Sequence, residues 1–236
     1  EATLELAGQK DEAERANTAK SRFLAAASHD LRQPLHALSL FSADLQRQVR
    51  SGTAQELPRL AEQISASTSL LGELLDSLLD ISRLDFAGIK PESRPTQLQP
   101  IFQRLADSFR RAAADRKMTL RFRPSAHWVE TDPVMLERMI ANLVSNALRY
   151  TPPGGRIDLR AAQQAGSITI EIEDNGPGIP AAERARVFDP FYRILGNESE
   201  GTGLGLSIAK TIVERNHGHI SLNDADAFEH GLKVTA

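Results

Sequence analysis

The chain has 236 residues, 41% of them hydrophobic, with 28 Lys and Arg against 31 Asp and Glu. That is enough apolar material for one or two globular domains, and a net charge of -3 offers no bulk attraction to nucleic acid or to an anionic membrane surface. The absence of cysteine excludes disulfides, thiolate nucleophiles and Cys-type zinc sites, and no apolar run approaches the roughly 20 residues that span a bilayer.

The stretch from Glu1 to about Arg50 is rich in Ala, Leu, Glu, Lys, Gln and Arg, has Pro34 as its first proline, and reads as one long helix. Leu31, Leu35, Leu38, Leu45 and Val49 recur at helical spacings and mark a face to be buried. His29 lies off that stripe, with Asp30 beside it to accept the ring proton. Pro34 has no N–H for the carbonyl of Asp30, so a bend is expected near the histidine. A break is read at Ser51-Gly52-Thr53, followed by a second helix to about Phe86. Leu60, Ile64, Ser67, Leu71, Leu74, Leu78 and Ile81 alternate spacings of four and three, the pattern of a coiled-coil seam. Leu70, Leu75 and Leu79 widen the stripe beyond what one partner helix covers, which predicts two hairpins pairing into a dimeric four-helix bundle. Gly88 suits a helix C-cap, and Lys90 to Pro95 reads as a linker with two prolines.

Beyond the linker, strands and helices alternate. Helices are predicted over Pro100 to Arg116, from the Asp132 cap to about Tyr150, and over Gly205 to Asn216. Strands are predicted at Met118 to Arg123, Trp128 to Thr131, Arg156 to Ala162, Ser167 to Asp174, His219 to Asn223 and Leu232 to Thr235. Such an order argues an α+β unit, a mixed sheet covered by helices on one face. The chain starts inside helical sequence and stops inside a strand, and reads as a fragment excised from a longer protein.

Three patches point to a nucleotide. Asn142, Asn146 and Arg149 share one face of a helix, combining amides that suit magnesium with a guanidinium that suits phosphate. In Asp174-Asn175-Gly176-Pro177-Gly178, at a strand end, a carboxylate can accept from an exocyclic amine while glycines let a flat ring approach the backbone. Gly201-Thr202-Gly203-Leu204-Gly205 opens a helix with exposed N–H groups, an anion site that lacks the Walker lysine and the strand of a dinucleotide fold.

In this order and spacing, the patches and the opening helix resemble the sensor histidine kinases of two-component signalling over nearly the whole chain. Ser28-His29-Asp30-Leu31-Arg32-Gln33-Pro34-Leu35 is similar to the H box, Asn142 to Tyr150 to the N box, and Asp174 to Gly178 to the first glycine box. Phe188-Asp189-Pro190-Phe191-Tyr192-Arg193 is similar to the F box, and Gly201 to Gly205 to the second glycine box. The resemblance implies a dimerisation and phosphotransfer domain over 1–88, with the end of an upstream signalling helix at 1–20. It implies an ATP-binding α/β sandwich of the gyrase and heat-shock ATPase type over 89–236.

On that resemblance His29 is the phospho-acceptor, Asp30 its base, Asn146 the magnesium ligand and Asp174 the adenine anchor. The remaining ATP contacts fall to Asn142, Arg149, Tyr150, Gly176, Gly178, Ile179, Arg193, Gly201, Thr202, Gly203, Leu204 and Gly205, with Ile179 to Glu200 as the lid. The implied activity is autophosphorylation of His29 with ATP and Mg2+, then transfer to an aspartate of a response-regulator receiver domain. Homodimerisation and a cytoplasmic location, without membrane contact by this fragment, go with it. Gln33, four residues after the acceptor, stands where the family commonly has Thr or Asn to position a hydrolytic water. The final strand and the acidic Asp224 to Glu229 loop also depart from the family pattern. The alternative is a dimeric ATP-binding conformational module without phosphotransfer, and His36, His127, His217, His219 and His230 read as structural.

Overall fold

The computed structural model describes residues 2–51, 56–85, 92–164, 166–194 and 202–236, in two compact units, Glu1–Leu79 and Asp80–Ala236. Gly52, Thr53, Gly88, the first two linker residues and Gly201 therefore lie outside the described residues.

The first unit holds α1 (Ala2–Ser51) and most of α2 (Leu57–Asp85), whose residues from Asp80 onward fall in the second unit. Pro34 sits inside α1 without ending it. Ala27, Pro34, Leu60 and Leu74 are buried, so the four-and-three pattern forms the inner seam of the hairpin. Leu35 and Val49 on one face of α1, and Leu75 and Leu79 on one face of α2, are all more than half exposed, and these faces have no cover among the described residues of one chain. Leu74 is 2% exposed. Leu74→Ala is expected to lower unfolding stability in urea by about 2–5 kcal/mol, and a loss below about 1 kcal/mol would contradict this packing.

In the second unit, β1 (Arg94–Gln97) leads into α3 (Leu98–Asp115), β2 (Thr119–Phe122), β3 (Trp128–Thr131) and α4 (Pro133–Tyr150). Then come β4 (Arg156–Gln164), β5 (Ser167–Asp174), a single 3-10 turn at Arg186–Phe188, α5 (Gly205–Arg215), β6 (Ser221–Asp224) and β7 (Leu232–Thr235). The main sheet has the order β2-β4-β5-β7-β6, with β2 parallel to β4 and the other pairs antiparallel. Ile157, Leu159, Ile170, Ile172 and Val234 of the sheet are buried with Ile101 and Phe102 of α3, Ile140, Leu143 and Val144 of α4, and Ile208 and Ile212 of α5. This apolar layer holds α4 and α5 against each other and α4 against β5, where the nucleotide patches lie.

The linker reading needs correction at its end. Arg94–Gln97 is a strand, pairing antiparallel with β3 so that Pro95 faces Glu130. A proline is tolerated because the sheet has two strands and its outer edge needs no donor. The Asp132 cap is as expected, with Oδ1 accepting from Val134 N at 2.9 Å and Met135 N at 3.2 Å.

Candidate active site

On α1, His29 and Gln33 are exposed and one turn apart, while Ala27 and Pro34 are buried. The His29 ring is 65% exposed, and its Nδ1 lies 3.1 Å from Asp30 Oδ1. With Nδ1–H donating to that carboxylate, the lone pair sits on Nε2, which leaves a nucleophilic nitrogen on the solvent side.

In the second unit, α4 and α5 bring two patches together. Asn142, Asn146 and Arg149 are half-buried on α4, and Tyr150 ends the helix 38% exposed. A Cβ on Gly205, the first residue of α5, would come within 3.1 Å of Asn146 Nδ2, so the carboxamide lies against the start of α5. The α5 cap residue, Leu204, is fully buried and makes no side-chain cap, so the first N–H groups of the helix remain for an anion or for solvent. Thr202 is buried, and its hydroxyl accepts from Leu204 N at 3.3 Å. Gly203 has φ +68°, and a Cβ there would strike the Phe191 backbone at 2.9 Å. Phe191 itself has φ +64°, and its N–H donates to the Gly203 carbonyl at 3.0 Å. The F box is thus fastened by its backbone to the glycine loop. A side chain at position 203 would break that contact.

The third patch closes the other end. Asp174, at the end of β5, is 6% exposed, and its Oδ1 accepts from Gly176 N at 2.8 Å. Burial pushes its carboxyl above the usual range, while hydrogen bonds from the backbone of Gly176 and Leu232 oppose the shift. The Thr151 hydroxyl, fully buried and without a hydrogen bond of acceptable geometry, lies close enough to the carboxylate to oppose it as well. Gly176 packs so near α4 that a Cβ would meet the Tyr150 carbonyl at 3.3 Å. Gly178 rests on the Gly231 carbonyl, and the Ile179 carbonyl accepts from Arg184 Nε at 2.9 Å.

Arg184 also pairs with Asp224, Lys233 Nζ reaches Asp226 at 2.7 Å, and the Arg156 guanidinium lies 5.5 Å from the Phe228 ring. The acidic loop therefore straps the sheet to the segment after the first glycine box. Among the lid aromatics, Phe188 lies under Lys210 Nζ at 5.5 Å, and Tyr192 lies under Arg186 at 4.4 Å while donating to Glu183. Arg193 follows as an exposed residue.

Comparison with known proteins bears on both units. Residues 19–87 match the His Kinase A (phospho-acceptor) domain, and residues 131–236 match the Histidine kinase-, DNA gyrase B-, and HSP90-like ATPase family. The chain is 34% identical over 227 residues to the sensor protein kinase PmrB of Pseudomonas aeruginosa, an alignment that covers 93% of this chain and 47% of PmrB. The chain belongs to the sensor histidine kinases. The sensor histidine kinase CpxA of Escherichia coli is 32% identical over 217 residues, covering 90% of this chain and 46% of CpxA. The chain thus spans about half the length of these two sensor kinases. The solved histidine kinase ThkA, in complex with the response regulator protein TrrA, superposes with TM-score 0.68 at 19% identity, covering 95% of this chain and 64% of that one, which establishes the shared fold.

Two polar groups of this histidine kinase core point to a ligand: Asn142 Nδ2 is buried without a hydrogen-bond partner among the described residues, and the Thr151 hydroxyl, fully buried, faces the Asp174 carboxylate. Beside them stand a buried acceptor at Asp174 and uncapped N–H groups at α5, a donor and acceptor set that fits an adenine nucleotide. Among the described residues no group of three or more His, Asp or Glu is placed to hold a metal by itself. The sequence reading stopped the α4 patch at Tyr150 and missed Thr151. Its only signal was adjacency to Tyr150, because nothing in the pattern shows that the helix end turns the next residue toward Asp174.

Proposed function

We propose that this chain is the core of an ATP-dependent protein histidine kinase that phosphorylates itself on His29 and passes the phosphoryl group to an aspartate of a response-regulator receiver domain. His29 carries the reading: an exposed imidazole with Nδ1 engaged by Asp30, in a chain whose second unit belongs to an ATPase family. Asp174 accepts from the adenine amine. The N–H groups around Gly203 and Gly205, with Arg149, hold the phosphates, and Arg193 assists from the lid. Asn142, Tyr150, Gly176, Gly178, Ile179, Thr202 and Leu204 line the same site, with Gly201 entering the loop. Asn146 is the residue that would hold Mg2+, which when bound would neutralise phosphate charge and orient the γ-phosphoryl group.

Asp30 takes the Nδ1 proton as Nε2 bonds to the γ-phosphorus. The bond from that phosphorus to the bridging oxygen breaks, and ADP leaves with the electron pair. In the second step the N–P bond breaks as a carboxylate oxygen of the receiver aspartate takes the phosphoryl group. ThkA, which shares the fold, forms a complex with a response regulator, in keeping with such a partner. Gln33, exposed one turn from His29, can orient water toward the same N–P bond for hydrolysis.

The exposed apolar faces of Leu35 and Val49 on α1 and of Leu75 and Leu79 on α2 support a homodimer in which two hairpins form a four-helix bundle. We assign 1–88 to dimerisation and phosphotransfer, with the upstream signalling helix ending within 1–20, and 89–236 to ATP binding. The need for ATP places this part of the protein in the cytoplasm. No helix among the described residues is long and apolar enough to cross a membrane.

With γ-labelled ATP and Mg2+, the purified chain is expected to gain label that survives alkali, is lost in acid, and moves to a receiver domain in a chase. Nucleotide binding without such label would favour the conformational module instead. Asn146→Ala is expected to raise the Mg2+ concentration for half-maximal labelling about tenfold or more, and an unchanged Mg2+ requirement would remove the metal assignment.

A further inference from the structure

The end of α3 is unusually well fixed. Lys117 adopts φ 55°, its N–H donates to Ala114 O at 2.9 Å, and Met118 N donates to Ala113 O at 2.8 Å. This is a Schellman motif, and it leaves Arg116 as the helix C-cap with a defined backbone. The Arg116 carbonyl accepts from Gly154 N at 3.0 Å, and its guanidinium donates to the carbonyls of Leu148, Arg149 (3.4 Å) and Thr151 (3.0 Å). Carbonyls at the C-terminal end of α4 run out of helical partners and carry the negative end of the helix dipole. A planar, permanently charged fork answers both needs at once.

What Arg116 holds is the base end of the proposed nucleotide site. Thr151 is fully buried with its hydroxyl toward Asp174, and a Cβ on Gly176 would meet the Tyr150 carbonyl at 3.3 Å and Thr151 Cα at 3.4 Å. The phosphate end, where Asn146 meets Gly205, lies five residues nearer the start of α4 than Thr151, and of the three carbonyls that Arg116 holds, the one belonging to a phosphate-site residue, Arg149, is the most distant at 3.4 Å. We infer that Arg116 is a positioning residue for base recognition: by fixing the Leu148–Thr151 carbonyls it holds Thr151 and the first glycine box around Asp174 and so sets the preference for a base with an exocyclic amine. The inference rests on the reading of Asp174 as the adenine anchor.

The test is displacement of trinitrophenyl-ATP from the full chain by ATP and by ITP, whose base carries a carbonyl oxygen where adenine has its amine. Wild type is expected to prefer ATP. In Arg116→Gln, ATP affinity is expected to fall about tenfold while ITP affinity stays within about twofold, so that the preference collapses. Arg116→Lys, which keeps the charge without the fork, is expected to fall between the two, and it decides the matter if Arg116→Gln does not fold. Equal weakening of ATP and ITP would show a merely structural role and overturn the inference, as would an unchanged ATP preference in both variants. Failure of wild type to distinguish ATP from ITP would instead defeat the reading of Asp174, and this inference with it.

Discussion

Asp174→Asn is expected to lose about 100-fold or more in ATP affinity while making the nucleotide-free protein more stable at pH 8. The two effects have one cause. Asp174 is 6% exposed, and burial pushes its carboxyl above the ordinary range because the ionised form gives up water when the chain folds. A group whose folded pKa exceeds its unfolded value contributes stability that is fully present below the unfolded pKa and is lost as pH rises through the folded one. Once pH has risen through the folded pKa the buried carboxylate is charged and the cost is complete. An asparagine of the same shape keeps an oxygen for the Gly176 N–H, now 2.8 Å from Oδ1, and carries no charge; it gives up the hydrogen bond from Leu232 N–H, a smaller effect than the desolvation it removes.

The melting temperature of the nucleotide-free variant is therefore expected to lie above wild type at pH 8, on the order of a few degrees, and to converge with it toward pH 4. The same substitution turns an amide N–H toward the adenine amine, donor against donor, and loses a hydrogen bond to a charged acceptor. Saturating ATP should then raise the melting temperature of wild type and leave the variant nearly unmoved. A variant less stable than wild type at pH 8 without nucleotide, or one still stabilised by ATP, would contradict this account of Asp174.

The hairpin was legible because its information is periodic. Leu60 and Leu74 occupy seam positions that the four-and-three spacing identifies, and both are buried. The exposed Leu75 and Leu79 belong to the widened stripe that the same spacing marks for a second hairpin. The nucleotide patches were legible as residue types at element ends, since Asp174 must end a strand and the glycine loop must open a helix for either to face a ligand.

What stayed hidden depends on contacts distant in sequence. Arg94 and Pro95 read as the end of the linker because Pro95 argues against a strand, and only the presence of β3 as a partner makes Arg94–Gln97 one. Gly203 reads as an anion-loop glycine, yet the positive φ of Phe191 and the fit of its backbone show that the F box also requires it. Arg116 is one arginine among many along α3, and its task becomes visible only when the end of α4, more than thirty residues later, arrives beside it. The acidic loop likewise has no signature, because its partners Arg184 and Lys233 come from separate elements.

The central claim is that His29 accepts the γ-phosphoryl group, and its exposed ring with Asp30 at Nδ1 is the geometry behind it. His29→Ala removes Nε2 from an exposed position off the buried seam, so the hairpin keeps its packing, and the variant should bind ATP as wild type does. The decisive measurement is the alkali-stable, acid-labile label that wild type and His29→Ala acquire from γ-labelled ATP with Mg2+. Label in wild type and none in the variant, at matched ATP binding, is the expected result; equal acid-labile label in both would place the acceptor elsewhere and contradict the mechanism.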